Sequence, residues 1–232
     1  MRVIISAGGT GGHIYPALAI INKIKEMDPK SEFLYIGTTD RMEATIIPEL
    51  GYDYVGLEIK GLNRRNIFKN INVLKSYLKA VKIAKKEIKK FNPDVVLGIG
   101  GYVTLPVLSA AHSLKIKTFI HEQNSIPGLS NKLLTRKVDA IGVSLPSSLK
   151  HFDKKKTTYT GNPRSEEVIN VEKVDKKKYG LTKNKKLVLF VMGSLGSHTV
   201  NDMMKEILPK FDKKDYEVLF VTGKGYYDEY KK

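Results

Sequence analysis

The sequence has no cysteine among its 232 residues. Disulfides, thiolate metal sites and a cysteine nucleophile are therefore excluded, a composition that suits a reducing compartment. Also lacking is any uninterrupted apolar run near the ~20 residues that span a bilayer. The opening stretch Val3-Ile4-Ile5 is too short for a signal-peptide core and runs into glycines, so no leader is expected. Acidic residues are few: 24 Asp and Glu stand against 40 Lys and Arg, for a formal net charge of +16. Such an excess favours anionic partners, whether nucleic acid, acidic lipid headgroups or phosphorylated metabolites. A lysine-rich solvated surface explains it equally well.

Short β-branched runs alternate with segments of helical period. Strands are expected at Val3–Ser6, Phe33–Ile36, Tyr54–Leu57, Val95–Ile99, Thr118–Ile120 and Ala140–Val143. Helices are expected near Ile14–Met27, Met42–Glu49, Ile67–Phe91, Leu105–Ser113 and Leu129–Leu134. Continuous apolar strands separated by helices predict an α/β fold, a doubly wound parallel sheet covered on both faces. The polar, lysine-rich stretch Lys150–Lys186 breaks the rhythm and reads as a domain crossover. A second α/β unit then opens with a strand at Leu187–Met192, a glycine turn at Gly193–Gly196, a helix near Thr199–Leu208 and a strand at Glu217–Thr222. Two strands and a helix bury little core, so this second domain is expected to be incomplete. The expected division is 1–160 and 161–232.

Ser6-Ala7-Gly8-Gly9-Thr10-Gly11-Gly12-His13 follows the first strand and precedes a helix whose first turn is expected to hold Pro16. Glycines there let the backbone approach an oxyanion, and the free amides of a helix start favour negative charge. The dinucleotide pattern and the P-loop ending are both unmet, so the loop reads as a general phosphate or diphosphate site. Leu97-Gly98-Ile99-Gly100-Gly101-Tyr102 repeats the geometry after the fourth strand. Two amide-lined concavities on one sheet edge point to one extended anionic ligand. His121-Glu122-Gln123-Asn124 follows the fifth strand, with Gly128 and Asn131 beyond it. That polar cluster suits sugar recognition or proton transfer, and a capping network accounts for any one of its members.

These motifs occur in order together with Gly161-Asn162-Pro163-Arg164 and Gly193-Ser194-Leu195-Gly196. Gly37-Thr38-Thr39-Asp40-Arg41-Met42-Glu43-Ala44 and Pro48 fit the same pattern. The whole resembles the MurG family of bacterial peptidoglycan N-acetylglucosaminyltransferases. The resemblance implies a glycosyltransferase-B fold whose amino-terminal domain takes a lipid-linked acceptor and whose carboxyl-terminal domain takes most of the nucleotide sugar. It implies transfer of N-acetylglucosamine from UDP-N-acetylglucosamine to the 4-hydroxyl of undecaprenyl-pyrophosphoryl-N-acetylmuramoyl-pentapeptide, with inversion. Donor contacts would come from Thr10, Gly11, Gly12, Asn124, Arg164 and Ser194. Acceptor pyrophosphate contacts would come from Gly9, Gly12, Gly100, Gly101 and Tyr102. His13, slightly favoured, or Glu122 would act as base or orient the hydroxyl. No cofactor and no obligatory metal are implied. The family's ribose-gripping acid and paired glutamines are expected beyond Lys232, and the family usually has one more residue between Pro163 and Arg164.

Leu62–Phe91 is the informative source of charge. Ile67, Ile71, Leu74, Leu78, Val81 and Ile88 give one apolar face, with lysines over the remainder. A crossover helix with a solvated lysine face is the plain reading. Arg64, Arg65, Phe68, Lys69 and Lys75 would add contact with anionic inner-membrane lipid, placing the protein peripherally at the cytoplasmic face of the plasma membrane. The competing readings are a glycolipid transferase acting on diacylglycerol, and a non-catalytic module that binds the acceptor or the membrane. No nucleic-acid motif with interleaved aromatics is present, so nucleic acid is not an expected partner.

Overall fold

Neighbouring residues along the first strands enter two different cores, which is why those strands read as unbroken apolar runs. The computed structural model describes residues 1–61, 70–169, 171–193 and 196–230, without the side chains of Asn70 and Ile71. Its first compact unit spans Met1–Asn170 and its second Val171–Lys232. The division therefore falls later than the 160/161 boundary expected from composition.

The first unit is built on seven parallel strands in the order β3-β2-β1-β4-β5-β6-β7. They are β1 (Arg2–Ala7), β2 (Glu32–Thr38), β3 (Asp53–Leu57), β4 (Val95–Gly100), β5 (Lys117–Glu122), β6 (Ala140–Val143) and β7 (Thr157–Tyr159). Ile4, Leu34 and Ile36 face α3 (Asn70–Phe91), α4 (Thr104–Ser113) and α5 (Leu129–Leu134) through Ala84, Ile88, Val107, Leu108 and Leu134. Val3, Ile5, Phe33 and Tyr35 face the other way, against Ile14, Ala17 and Ile21 of α1 (Gly11–Met27) and Ile47 of α2 (Glu43–Glu49). Burying both faces requires apolar residues at successive positions, so the period-2 signal of a half-exposed strand disappears.

The expected strands and helices are all present in the described residues, with ends shifted by a few positions; residues 67–69 of the third helix lie outside them. Three details differ. Strand β7 lies inside the stretch read as a crossover; it pairs with β6 from Ile141↔Thr157 to Val143↔Tyr159. Its sequence, Thr-Thr-Tyr, is an edge strand with no apolar signal. Helix α1 begins at Gly11, three residues before the apolar period starts. Pro16 consequently lies in its second turn, where the missing N–H leaves the Gly12 carbonyl without an i+4 donor. A short helix α6 (Ser165–Ile169) closes the first unit.

The second unit contains β8 (Lys186–Val191) and β9 (Tyr216–Val221), paired in parallel, with α7 (His198–Ile207) between them and α8 (Tyr227–Tyr230) after β9. Strand β8 leaves Leu189 and Val191 exposed. The glycine turn after β8 meets the end of β9: a Cβ on Gly196 would fall 1.9 Å from the Thr222 carbonyl oxygen. Asn201 of α7 donates to that same carbonyl at 2.9 Å. Ser194 lies outside the described residues.

Candidate functional site: two glycine loops at the sheet reversal

Strand order reverses direction between β1 and β4, the place where open α/β sheets bind ligands beyond the strand carboxyl ends. Both glycine loops of the first unit leave the sheet there, and they are bonded to each other. The Gly8 amide donates to the Gly100 carbonyl at 3.1 Å. The β1–β4 register shifts at Ser6/Ala7, so that Ala7 pairs with Gly100. Gly101 has φ +91°, and a Cβ there would lie 2.4 Å from the Gly8 oxygen. The contact is backbone on backbone and admits no side chain.

His13 is fastened across the same junction. Its Nδ1 lies 3.0 Å from the Gly8 carbonyl. A carbonyl only accepts, so Nδ1 carries the proton and Nε2 presents a lone pair. The ring lies over Gly100, where a Cβ would meet His13 Cδ2 at 2.4 Å. Thr10 is the N-cap residue of α1, in extended backbone conformation and without a side-chain cap bond. The amides of Gly11 and Gly12 precede the first helical hydrogen bonds, which begin with His13 and Ile14 donating to the Thr10 carbonyl. They are the donors available to an anion. Gly9 is different from expectation: its amide donates to Glu43 Oε2 at 3.0 Å, so its N–H is not free for a pyrophosphate.

Glu43 was not singled out by the sequence as a site residue. Fully buried at the start of α2, it accepts from Gly9 and, through Oε1, from the Thr38 amide at 3.1 Å and the Thr38 hydroxyl at 2.8 Å. One carboxylate thus ties the end of β2 to the first glycine loop. A lone glutamate near a glycine loop carries no local signal for this; only the parallel pairing of β1 with β2 brings it there.

The polar cluster after β5 is a built network. Glu122, 2% exposed, accepts from the Asn124 amide and side chain, both at 2.9 Å, from the Gly128 amide at 3.0 Å and from Asn131 Nδ2 at 2.9 Å. A buried carboxylate engaged by four donors fastens the 123–128 loop. Ser148 secures the loop from outside by donating to the Asn124 carbonyl at 2.7 Å. Asn124 itself is exposed at the loop surface.

His121, 1% exposed, is enclosed. Gln123 Nε2 donates to the Ile99 carbonyl at 2.8 Å, which fixes the amide orientation and makes it the donor to His121 Nδ1 at 3.0 Å. Nε2 then carries the ring proton towards Thr160 Oγ1 and the Gly161 carbonyl. Burial pushes the imidazole below its ordinary 6.5, against the smaller raising influence of Gly161 and Glu122. The unfolded chain therefore takes up a proton that the folded chain refuses, and stability falls as pH drops below about 6.5 towards the lower folded value. The melting temperature should decline more steeply between about pH 7 and 5.5 for the wild-type chain than for His121→Gln. Equal slopes would show that His121 is not the group responsible.

Arg164 lies against the outer side of α1. Its guanidinium is 5.0 Å from the Tyr15 ring centroid, and its Nε pairs with Glu167 at 3.0 Å. Tyr102 follows the second loop directly, half-buried, and its side chain helps to hold the Arg41 guanidinium above its ordinary range. Among the described residues, no group of three or more His, Cys, Asp or Glu is placed to hold a metal ion.

The glycosyltransferase family 28 N-terminal domain matches residues 3–143, a stretch that contains both loops, Glu43 and the His121–Asn124 network. The chain belongs to this family. A relative from Bacillus cytotoxicus, UDP-N-acetylglucosamine--N-acetylmuramyl-(pentapeptide) pyrophosphoryl-undecaprenol N-acetylglucosamine transferase, is 46% identical over 230 residues, 99% of this chain and 63% of its own length. The protein of the same name from Bacillus pumilus is 43% identical over the same shares. The chain thus spans less than two thirds of the curated relatives it matches. The crystal structure of Acinetobacter baumannii MurG superposes with a TM-score of 0.68 at 26% identity, covering 91% of this chain and 58% of that one. UDP-GlcNAc 2-epimerase from Methanocaldococcus jannaschii shares the fold, with a TM-score of 0.66 at 14% identity over 100% and 68% of the two chains. The family 28 unit has the doubly wound sheet of a glycosyltransferase-B amino-terminal half.

Proposed function

We propose that this chain carries the acceptor side of an inverting transferase. It would move N-acetylglucosamine from UDP-N-acetylglucosamine to the muramoyl 4-hydroxyl of undecaprenyl-pyrophosphoryl-N-acetylmuramoyl-pentapeptide. The observation that carries the reading is the bonded pair of glycine loops at the sheet reversal, with the amides of Gly11 and Gly12 open at one helix start and Gly100–Tyr102 beside them. The partial positive charge of a helix start and glycine-turn amides suits a diphosphate. The 46% identity to a protein named for this transfer supports the choice of sugar and lipid.

In the proposed step the 4-hydroxyl oxygen bonds to C1 of the glucosamine as the C1–oxygen bond to UDP breaks. The hydroxyl proton passes to His13 Nε2, and the departing electron pair stays on the β-phosphate. Main-chain amides and helix starts hold the developing charge, so the reading requires no bound metal. Thr10, Gly11, Gly12, Asn124, Arg164 and Ser194 remain the proposed donor contacts; Arg164 would have to leave Glu167 to serve. The test is UDP release and acceptor binding with the muramoyl lipid. Absence of both would sink the reading, saturable binding without release would leave the non-catalytic module, and release with diacylglycerol instead would favour the glycolipid transferase.

A lipid-linked acceptor also requires the protein to meet a membrane. No helix among the described residues is long and apolar enough to cross one. Arg64, Arg65, Phe68 and Lys69 lie outside the described residues, while Lys75 is exposed on α3. Beside it Leu74 and Leu78 are 59% and 60% exposed. A groove of about 550 Å³ runs from Leu74 and Tyr77 past Leu129 and Leu133 to Tyr102. Apolar side chains flanked by lysines suit the interface of an anionic leaflet, and the proposed location is peripheral, on its cytoplasmic face. Leu74→Asp with Leu78→Asp is expected to lower partition onto phosphatidylglycerol vesicles by at least about tenfold. Unchanged partition would remove this surface from the proposal.

A further inference from the structure

Neither glycine loop contains a lysine or arginine. Gly8–His13 and Gly98–Tyr102 bring amides, a helix start and an imidazole face to an anion that carries formal negative charge. Dipoles orient such a ligand, and a nearby guanidinium adds paired, charge-assisted hydrogen bonds that neutral amides do not equal. The loop between β2 and α2 offers one. Arg41 lies on it, at the same carboxyl edge of the sheet, with its side chain 53% exposed.

Two contacts place this arginine at the site. Its guanidinium is favoured in the charged form first by the side chain of Tyr102, the residue that ends the second glycine loop, and then by Asp40 and Glu43. The loop that bears it is fixed to the first glycine loop, because Glu43, two residues on, is buried and accepts from Gly9, Thr38 N and Thr38 Oγ1. Arg41 therefore projects from an anchored segment. Among the described residues its ion pair is with the adjacent Asp40, at 3.9 Å from Nε. With five N–H donors in a planar fork, the guanidinium keeps donors for a ligand after contacting Tyr102.

We propose that Arg41 is a further diphosphate-binding residue, whose guanidinium supplies the formal positive charge to an acceptor diphosphate resting on the amides of both glycine loops. The inference rests on the acceptor-site reading above and adds the β2–α2 loop as a third wall of that site. Arginine is favoured over lysine there because its fork spans two phosphate oxygens while it still contacts Tyr102.

Geranyl diphosphate serves as the probe, titrated calorimetrically into the full 232-residue chain, with UDP in a parallel titration. R41A is expected to weaken geranyl diphosphate binding by about tenfold or more, and R41K by a smaller factor, because an ammonium cannot fork. UDP affinity should stay within about twofold. The control is R136A, an exposed cation that precedes β6 at the opposite edge of the sheet; it should leave both affinities unchanged. Geranyl diphosphate affinity of R41A within about twofold of the wild-type chain would overturn the role of Arg41 while leaving the acceptor site intact. An equal loss of UDP affinity would overturn it too, by assigning the guanidinium to the donor. Failure of the wild-type chain to bind geranyl diphosphate would remove the acceptor site and Arg41 with it.

Discussion

Transfer to the muramoyl hydroxyl is expected to slow by about 10²–10⁴ when His13 is replaced by glutamine, the range that a positioned general base contributes. The argument is one of tautomer and placement. Nδ1 is committed to the Gly8 carbonyl at 3.0 Å, so the basic nitrogen is Nε2. The ring is held over Gly100, at the junction of the two loops that would grip the acceptor pyrophosphate. Glutamine can keep the bond to Gly8 but has no lone pair able to take a proton at neutral pH. The effect should therefore fall on kcat with both substrates saturating, while geranyl diphosphate affinity changes little. A kcat within about threefold of wild type would take His13 out of the chemistry and leave it as a fastener of the loops.

The second large effect is on the loops themselves. Gly101→Ala places a Cβ 2.4 Å from the Gly8 oxygen at a residue with φ +91°. The left-handed conformation costs about 1–2 kcal/mol for a residue with a side chain, and forcing rigid backbone apart adds about 1–3 kcal/mol. The expected loss is roughly 2–5 kcal/mol, read from the midpoint of urea unfolding, together with loss of diphosphate binding as the Gly8–Gly100 bond opens. Gly9→Ala is the informative comparison. Gly9 has a similar φ of +93°, but nothing lies within 4 Å of its Cβ position. It should suffer only the conformational part, about 1–2 kcal/mol. Equal destabilisation by the two substitutions would mean that the loop–loop contact contributes nothing to the fold.

Much of the architecture was legible because the signals involved are local. Val3–Ile5, Phe33–Ile36 and Val95–Leu97 announce doubly buried strands by composition alone, and glycines after two of them mark where backbone must turn sharply. The misses share a different character. β7 is three polar or amphipathic residues whose strand conformation comes from pairing with β6. The start of α1 at Gly11 contradicts helix propensity and is held by the loop contacts around it. The unit boundary moved beyond α6 because Lys23 pairs with Glu166 at 3.0 Å and Arg164 lies over Tyr15, contacts that composition does not display.

The sequence by itself determined the alternation of strand and helix, the two anion-ready turns and the resemblance that names a family, since each is written in runs of adjacent residues. Tertiary structure alone decided which groups remain free to act. Gly9 loses its amide to Glu43, Glu122 gives its oxygens to four donors, and His13 acquires a defined tautomer from Gly8. A hydrogen bond commits a donor or an acceptor, and the partners here come mostly from separate strands or loops. Their meeting depends on strand order and register, which no local run of residues encodes.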